Sequence, residues 1–240
     1  MRILVVSDIH ANLAALEAVL GDAGGCDAIW HLGDVVGYGP DPDAVVDRLR
    51  ALGAVGVRGN HDAAALGGRE IEAFNPAARL AMEWTRRTIQ PATRQWLEEL
   101  PAQRVEGGVT LVHGSPRDPI WEYVDSVSVA RSSLQVLTTS WCLHGHTHVP
   151  AVFRDDDGRV TLLDPPAGSP LQLDARRVMA NPGSVGQPRD GNPAASYMTL
   201  DTERLGLRWH RVSYDIARTQ AAMKAADLPE WLIRRLQDGV

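Results

Sequence analysis

Arg2-Ile3-Leu4-Val5-Val6-Ser7-Asp8-Ile9-His10 decides the reading of this chain. Residues 2–7 form a β-branched, apolar run, the composition of a strand covered on both faces, and the run gives way at once to an aspartate and a histidine. Apolar periodicity then resumes as a helix from about Asn12 to Leu20. A buried strand feeding directly into a helix belongs to a layered α/β fold, which holds its ligands beyond the carboxyl tips of its strands. An acid and an imidazole stand at that tip here.

The same arrangement recurs outward along the chain. Ala28–His31 reads as a strand delivering Gly33-Asp34, and Asp41-Pro42 opens a helix that runs to Arg50, with proline in an early, tolerated position. Val55 and Val57 alternate in a third short strand before Gly59-Asn60-His61-Asp62. Val109–Val112 is a strand ending at His113-Gly114, and across Leu134–Leu143 a helix gives way to a strand ahead of Gly145-His146-Thr147-His148. Between these pieces, residues 75–88 and 93–100 have helical periodicity, with Trp84 and Trp96 on core-facing sides.

Ala151–Phe153 and Val160–Leu163 read as a hairpin around the acidic turn Asp155–Gly158, which is too short for a calcium loop and lacks its distal glutamate. Residues 164–170 read as a turn or loop. Strands at Arg177–Ala180, Ser196–Asp201 and Gly206–Val212 continue a second sheet, and helices near Tyr214–Ala222 and Leu228–Leu236 close the chain. Neither repeats nor linkers interrupt the pattern, so residues 1–240 are expected to form one domain, with the helices at 75–100 as an insertion serving as lid or dimer surface.

A chain of 240 residues with 44% hydrophobic content can bury a sizeable core without metal or disulfide support, so any metal is expected to be catalytic. The formal charge of -6 opposes a broad cationic surface that would follow extended nucleic acid. Only Cys26 and Cys142 are present, without a CxxC, which excludes a disulfide scaffold or a zinc knot of cysteines. Neither a signal peptide nor an 18-residue apolar run is visible, so no membrane is involved and a cytoplasmic setting is expected.

The five polar fragments fit a centre for two divalent metals. Such ions lie about 3.5–4 Å apart and need a shared anionic ligand, for which Asp34 is the candidate. Asp8 and His10, two positions apart on one side of an extended tip, turn toward one metal with His148. Asn60, His113 and His146 take the other beside Asp34. Mixed nitrogen and oxygen ligands suit Mn, Fe, Zn, Co or Ni, a choice that availability often decides; Mn is the expected ion, with Fe, Zn, Ni or Co as alternatives. A hydroxide between the ions would attack phosphorus in line, leaving His61 to donate a proton to the departing oxygen or to stabilise its charge, with Asp62 holding the other ring nitrogen. His31 and His144 lie outside the set.

These fragments, DxH, GD, GNHD, a separated His and GHTH, resemble the signature of the calcineurin-like metallophosphoesterase superfamily, and most closely its small bacterial and archaeal phosphodiesterases of the YfcE and MJ0936 type. The resemblance implies a four-layer αββα sandwich with two mixed β-sheets, the same ligand assignment, and His61 as acid. Asn181–Arg189 is similar to a late glycine-rich loop of those proteins, which makes Arg189 a candidate phosphate contact; Arg117 and Asn12 are further candidate substrate contacts. The implied substrate is a small phosphorylated molecule or nucleotide, as diester in preference to monoester. A nuclease, or a protein-binding scaffold that has lost catalysis, is the alternative the same resemblance allows.

Overall fold

Alternation along β1 (Arg2–Val6) divides its side chains between two cores. Ile3 and Val5 join Trp30, Val109, Leu143, Val178 and Met198 in one buried cluster, while Leu4 and Val6 join Leu16, Val19, Val46 and Leu97 in another. The first cluster lies between two sheets and the second between a sheet and helices. One strand therefore already implies a sandwich with helices outside it.

This computed structural model describes residues 1–67, 71–72, 74–165 and 168–240, so Pro166 and Ala167 of the expected 164–170 turn lie outside the described residues. After β1 come α1 (Leu13–Ala23), β2 (Ala28–His31), α2 (Pro42–Ala51), β3 (Val55–Gly56), α3 (Asn60–Leu66), α4 (Pro76–Thr88), α5 (Pro91–Glu99) and β4 (Gln103–Glu106). The second half holds β5 (Val109–Val112), α6 (Val127–Val136), β6 (Trp141–Leu143), β7 (Ala151–Asp156), β8 (Arg159–Leu163), β9 (Leu171–Gln172), β10 (Arg177–Asn181), β11 (Ala195–Asp201), β12 (Gly206–Val212), α7 (Ile216–Ala225) and α8 (Glu230–Asp238).

Among the described residues these form two six-stranded mixed sheets, ordered β3-β2-β1-β11-β12-β9 and β4-β5-β6-β10-β7-β8. Helices α1, α2 and α5 cover the outer face of the first sheet, and α6 covers that of the second through Ala130 and Leu134 against Val112, Cys142, Phe153 and Met179. This is the four-layer αββα sandwich. A satellite cluster joins α4 to α7 and α8 through Ala78, Ala81, Met223, Leu232 and Leu236.

Each sheet contains one parallel triplet, β1-β2-β3 and β5-β6-β10. Val6 pairs with His31 and His31 with Gly56, so the first three tips end level with one another. Cross-sheet bonds from Val185 N to the Ser7 carbonyl (3.0 Å) and from Gly186 N to the Asp8 carbonyl (2.9 Å) bring the loop after β10 onto the tip of β1. Both triplets thus deliver their loops to one edge of the sandwich.

Local differences from the sequence pattern have local causes. The helix before β6 starts at Val127, because the Ser126 side chain accepts from Val129 N and caps it there. Strand β4 alternates toward solvent and carries one large apolar residue, the exposed Val105, so its pairing with β5 leaves no hydrophobic trace. The GNHD segment opens a helix: Asn60 and His61 are the first residues of α3, and Asp62 reaches back to Gly59 N at 2.9 Å.

Candidate metal centre

Seven side chains from five loops converge where the strands end. Asp8 and His10 follow β1, Asp34 follows β2, Asn60 opens α3 after β3, His113 follows β5, and His146 and His148 follow β6. All seven are buried. The tip after β1 is not extended as the sequence suggested: Asp8 (φ 53°) and His10 (φ 50°) both adopt the left-handed region, as do Asp34 (φ 51°), His146 (φ 69°) and His148 (φ 61°). Such backbone costs about 1–3 kcal/mol per residue and persists where a surrounding structure dictates it. Five of seven ligand candidates share this strain, so convergence has been favoured over local stability.

Two of the glycines in the motifs are there for space. A Cβ on Gly145 would strike Ser7 Oγ and stand 2.8 Å from Asp8 Oδ2; a Cβ on Gly59 would run into the Asp34 carboxylate and backbone. Close backbone approach is what lets two loops share so small a volume.

The ring nitrogens define the tautomers. His10 Nδ1 faces the Val36 carbonyl (3.3 Å), His113 Nδ1 the Leu32 carbonyl (2.8 Å), His148 Nδ1 the Gln187 carbonyl (2.6 Å), and His146 Nε2 the Trp121 carbonyl (3.2 Å). A carbonyl only accepts, so each of these nitrogens carries the proton and the opposite nitrogen presents a lone pair. Those lone pairs meet one another. His10 Nε2 lies 3.1 Å from His148 Nε2, and His113 Nε2 lies 3.0 Å from His146 Nδ1 and 2.9 Å from Asn60 Oδ1.

The carboxylates follow the same rule. Asp8 Oδ2 accepts from Ser7 Oγ (2.6 Å) and His146 N (3.2 Å), and Asp34 Oδ1 accepts from His61 N (2.8 Å). Their other oxygens, Asp8 Oδ1 and Asp34 Oδ2, are buried without a hydrogen-bond partner. Asp8 Oδ1 stands 3.3 Å from His148 Nε2, while Asp34 Oδ2 stands 3.6 Å from His10 Nε2 and 3.4 Å from His113 Nε2. Two ligands about 2.1 Å from one ion lie about 3.0–3.4 Å apart at angles of 90–110°. The donor set therefore fits two cation shells, Asp8-His10-Asp34-His148 and Asp34-His113-His146 with Asn60, sharing Asp34.

Charge points the same way. Burial raises Asp8 to about 7 and Asp62 to about 6, and it raises Asp34 well above the usual carboxylate value, with Asp62 and Asp8 adding repulsion. Burial likewise holds His10, His113 and His148 well below the usual imidazole value and brings His146 to about 4. Protein groups alone supply too little positive charge for three enclosed carboxylates, and bound cations invert that balance.

The remaining expected residues divide. His61 lies beside the cluster, its ring 4.8 Å from that of His10. Its Nδ1 faces Met82 Sδ at 3.1 Å, not Asp62. Asp62 instead accepts from Val35 N (2.9 Å), Val36 N (3.1 Å) and Gly59 N (2.9 Å), binding the GD loop to the GNHD loop, so its carboxylate is engaged away from the His61 ring. Asn12 caps α1, accepting from Ala15 N and Thr219 Oγ1 and donating to the Gly186 carbonyl. That is a structural pin, with its groups occupied. Arg117 is exposed and paired with Glu122 at 3.3 Å. Arg189 is half-buried, donates to Gln187 Oε1 (2.9 Å), lies 5.9 Å from the Tyr38 ring centre and keeps a buried, unpartnered Nε. Its charge lowers the pKa values of Asp8, Asp34 and His61.

Sequence reasoning overlooked the shell of rings. Tyr38 and Phe74 pack on His61 at 4.3 and 4.7 Å, and Tyr123 stacks on His146 at 3.6 Å. Only Tyr38 sits near enough to a motif, in Gly37-Tyr38-Gly39, to have been suspected.

Residues 1–205 match the Calcineurin-like phosphoesterase superfamily domain. The chain belongs to this superfamily. A metallophosphoesterase from Sphaerobacter thermophilus is similar over 100% of this chain and 99% of its own, with 48% identity and a TM-score of 0.92. An uncharacterized protein of Methanocaldococcus jannaschii, MJ0912, is 37% identical over 98% of this chain and 96% of its own length. Phosphodiesterase YfcE of Escherichia coli is 27% identical over 86% and 91%. As a calcineurin-like phosphoesterase with two clustered donor sets, the protein is a metal-dependent phosphoesterase with a dinuclear centre. Among the described residues no helix is long and apolar enough to cross a membrane.

Proposed function

We propose that this chain hydrolyses small phosphodiesters, in preference to monoesters, with Mn as the native metal of both positions. The observation that carries the reading is Asp34 Oδ2, a buried oxygen without a protein partner that lies within 3.6 Å of one histidine from each donor set. Asp8, His10, Asp34 and His148 would hold one ion, and Asp34, Asn60, His113 and His146 the other. When bound, the ions would neutralise phosphoryl charge and make a water acidic enough to attack at neutral pH.

The chain's own groups do the rest. His61, held by its backbone N–H on Asp34 and by packing against Tyr38 and Phe74, is the donor to the departing ester oxygen. Arg189 brings a guanidinium to the cluster with one N–H direction free, suited to a non-bridging phosphoryl oxygen. The net charge of -6 supports a small phosphorylated molecule or nucleotide over extended nucleic acid. Two unpaired cysteines support a cytoplasmic setting. We read residues 1–240 as one domain, and α4 and α5 as its insertion, with α4 bracing His61 through Met82 and offering an exposed Leu80 for a homodimer contact.

The test is hydrolysis of paired monoester and diester reporters with Mn, Ni, Co, Fe and Zn added separately, with Asp34→Asn as control. Metal-dependent diester turnover that disappears in the control is the expected result. Monoester preference would move the reading to a phosphatase, and turnover unaffected by Asp34→Asn would overturn it.

A further inference from the structure

Phenylalanine and tyrosine are scarce in this chain, with two Phe and four Tyr. Half of each, Phe74, Tyr38 and Tyr123, nevertheless touch histidines of the centre. They are not equivalent. Tyr38 is buried and Phe74 partly so, both in contact with His61, so both act as packing. Tyr123 is 47% exposed, although its ring lies parallel to His146 with 3.6 Å between centroids and 19° between planes. No other ring or guanidinium stacks on it among the described residues. Bracing His146 would not require a large apolar ring left half in water, and Leu or Ile would brace as well at less exposed area.

Its surroundings suit a ligand. Trp121, half-buried two residues earlier, holds His146 through its carbonyl and places its ring 6.4 Å from Phe74, on the side of His61. Val124, next to Tyr123, and Thr147, next to His146, also line a groove of about 290 Å³ together with Val149 and, from β7 and β8, Phe153 and Leu162. That is close to the lower bound of about 300 Å³ for small-molecule sites.

We propose that Tyr123 and Trp121 form a stacking platform that selects phosphoesters carrying a flat aromatic group, a nucleobase or a simple aryl ring, next to the scissile phosphorus. The proposal rests on the phosphoesterase reading and adds its substrate class. Stacking is tolerant of ring identity, because every such ring offers a π-face, and the ring's attachment to the ester keeps it within reach of the ions' charge.

The test uses the Mn-loaded enzyme and three methyl phosphodiesters, an adenosine 5′ ester, a phenyl ester and an ethyl ester. Comparing kcat/KM for wild type, Tyr123→Ala and Tyr123→Phe, with metal content measured in each, cancels the intrinsic reactivity of the esters. Tyr123→Ala is expected to lower the preference for the ring-bearing esters over the ethyl ester by about 5- to 150-fold, mainly through KM, the range found on removing a stacking side chain. Tyr123→Phe should retain it. Loss for the adenosine ester alone supports the platform and identifies a nucleobase, whereas loss for both identifies any flat ring. A parallel fall for all three esters, or no fall, overturns the platform and leaves Tyr123 as a brace for His146. Should the variant not fold, inhibition of the wild type by adenosine 5′-monophosphate and by glycerol phosphate decides: equal inhibition refutes the proposal. Absence of wild-type turnover on every ester would instead remove the phosphodiesterase reading beneath it.

Discussion

Gly59→Ala isolates the geometry of the centre from its chemistry. Gly59 has φ -93° and ψ 175°, an extended conformation open to any residue, so the substitution carries no backbone penalty. Everything it does comes from one methyl group. A Cβ there would run into Asp34 Oδ1 and the Asp34 backbone N and stand 2.8 Å from Asp34 Cγ, against an ordinary carbon–carbon contact of about 3.5–4.0 Å, so the Asp34 carboxyl and its backbone must retreat by about 1 Å. Misplacing a reacting constellation by that distance costs about 100-fold in rate. Overpacking a rigid site costs about 1–3 kcal/mol, and at this chain length that lowers Tm by about 2–12 °C. The assay pairs metal analysis of the purified protein with diester kcat/KM and a thermal melt. Reduced occupancy at both metal positions with a roughly 100-fold loss of kcat/KM is expected. Full occupancy with kcat/KM within about threefold of wild type would refute the claim that Asp34 is positioned by the absence of a side chain at residue 59.

Three further outcomes follow from the site. His61→Gln should lower kcat by about 100- to 10,000-fold, the range for a lost general acid, with both metals retained by mass spectrometry; an active variant removes His61 from proton transfer. Asp62→Asn weakens the acceptor of three backbone amides, so a loss of about 1–3 kcal/mol is expected in denaturant unfolding, and an unchanged midpoint would show that the two loops hold without it. In the metal-free protein, Asp8 and Asp62, raised to about 7 and about 6, contribute stability that is complete below the unfolded value of 3.8 and is lost as pH rises through the folded values. Buried His10, His31, His61, His113, His144, His146 and His148, all lowered, contribute stability that is lost as pH falls below 6.5. Histidines outnumber the carboxylates, so Tm in chelator should peak near pH 6.5 and fall on both sides, and Mn should remove the alkaline fall by holding the carboxylates ionised; a Tm rising steadily to pH 8 without metal contradicts this.

Much of the centre was legible because each fragment is local: a hydrophobic strand, a glycine, and a polar residue at its tip. DIH, GD, GNHD and GHTH announce themselves within four residues, and the sandwich follows from runs such as ILVV that must be covered on both faces. What could not be read depends on distant partners. Asn12 looked available until Thr219, 207 residues later, and Gly186 were seen to occupy its amide. Asp62 follows His61 in sequence, yet α3 begins at Asn60 and turns its carboxylate back onto the amides of residues 35, 36 and 59. The left-handed backbone at Asp8, His10, Asp34, His146 and His148 leaves no compositional mark, because none of these is a glycine. Tyr123 and Trp121 sit in an irregular loop between β5 and α6, where periodicity offers no face to assign.

Anomalous scattering from an Mn-loaded crystal tests the central claim most directly. Two peaks about 3.5–4 Å apart are expected, one among Asp8, His10 and His148 and the other among Asn60, His113 and His146, with Asp34 Oδ2 between them. A single peak, or two peaks with Asp34 bound to only one, would contradict a centre built on that shared oxygen.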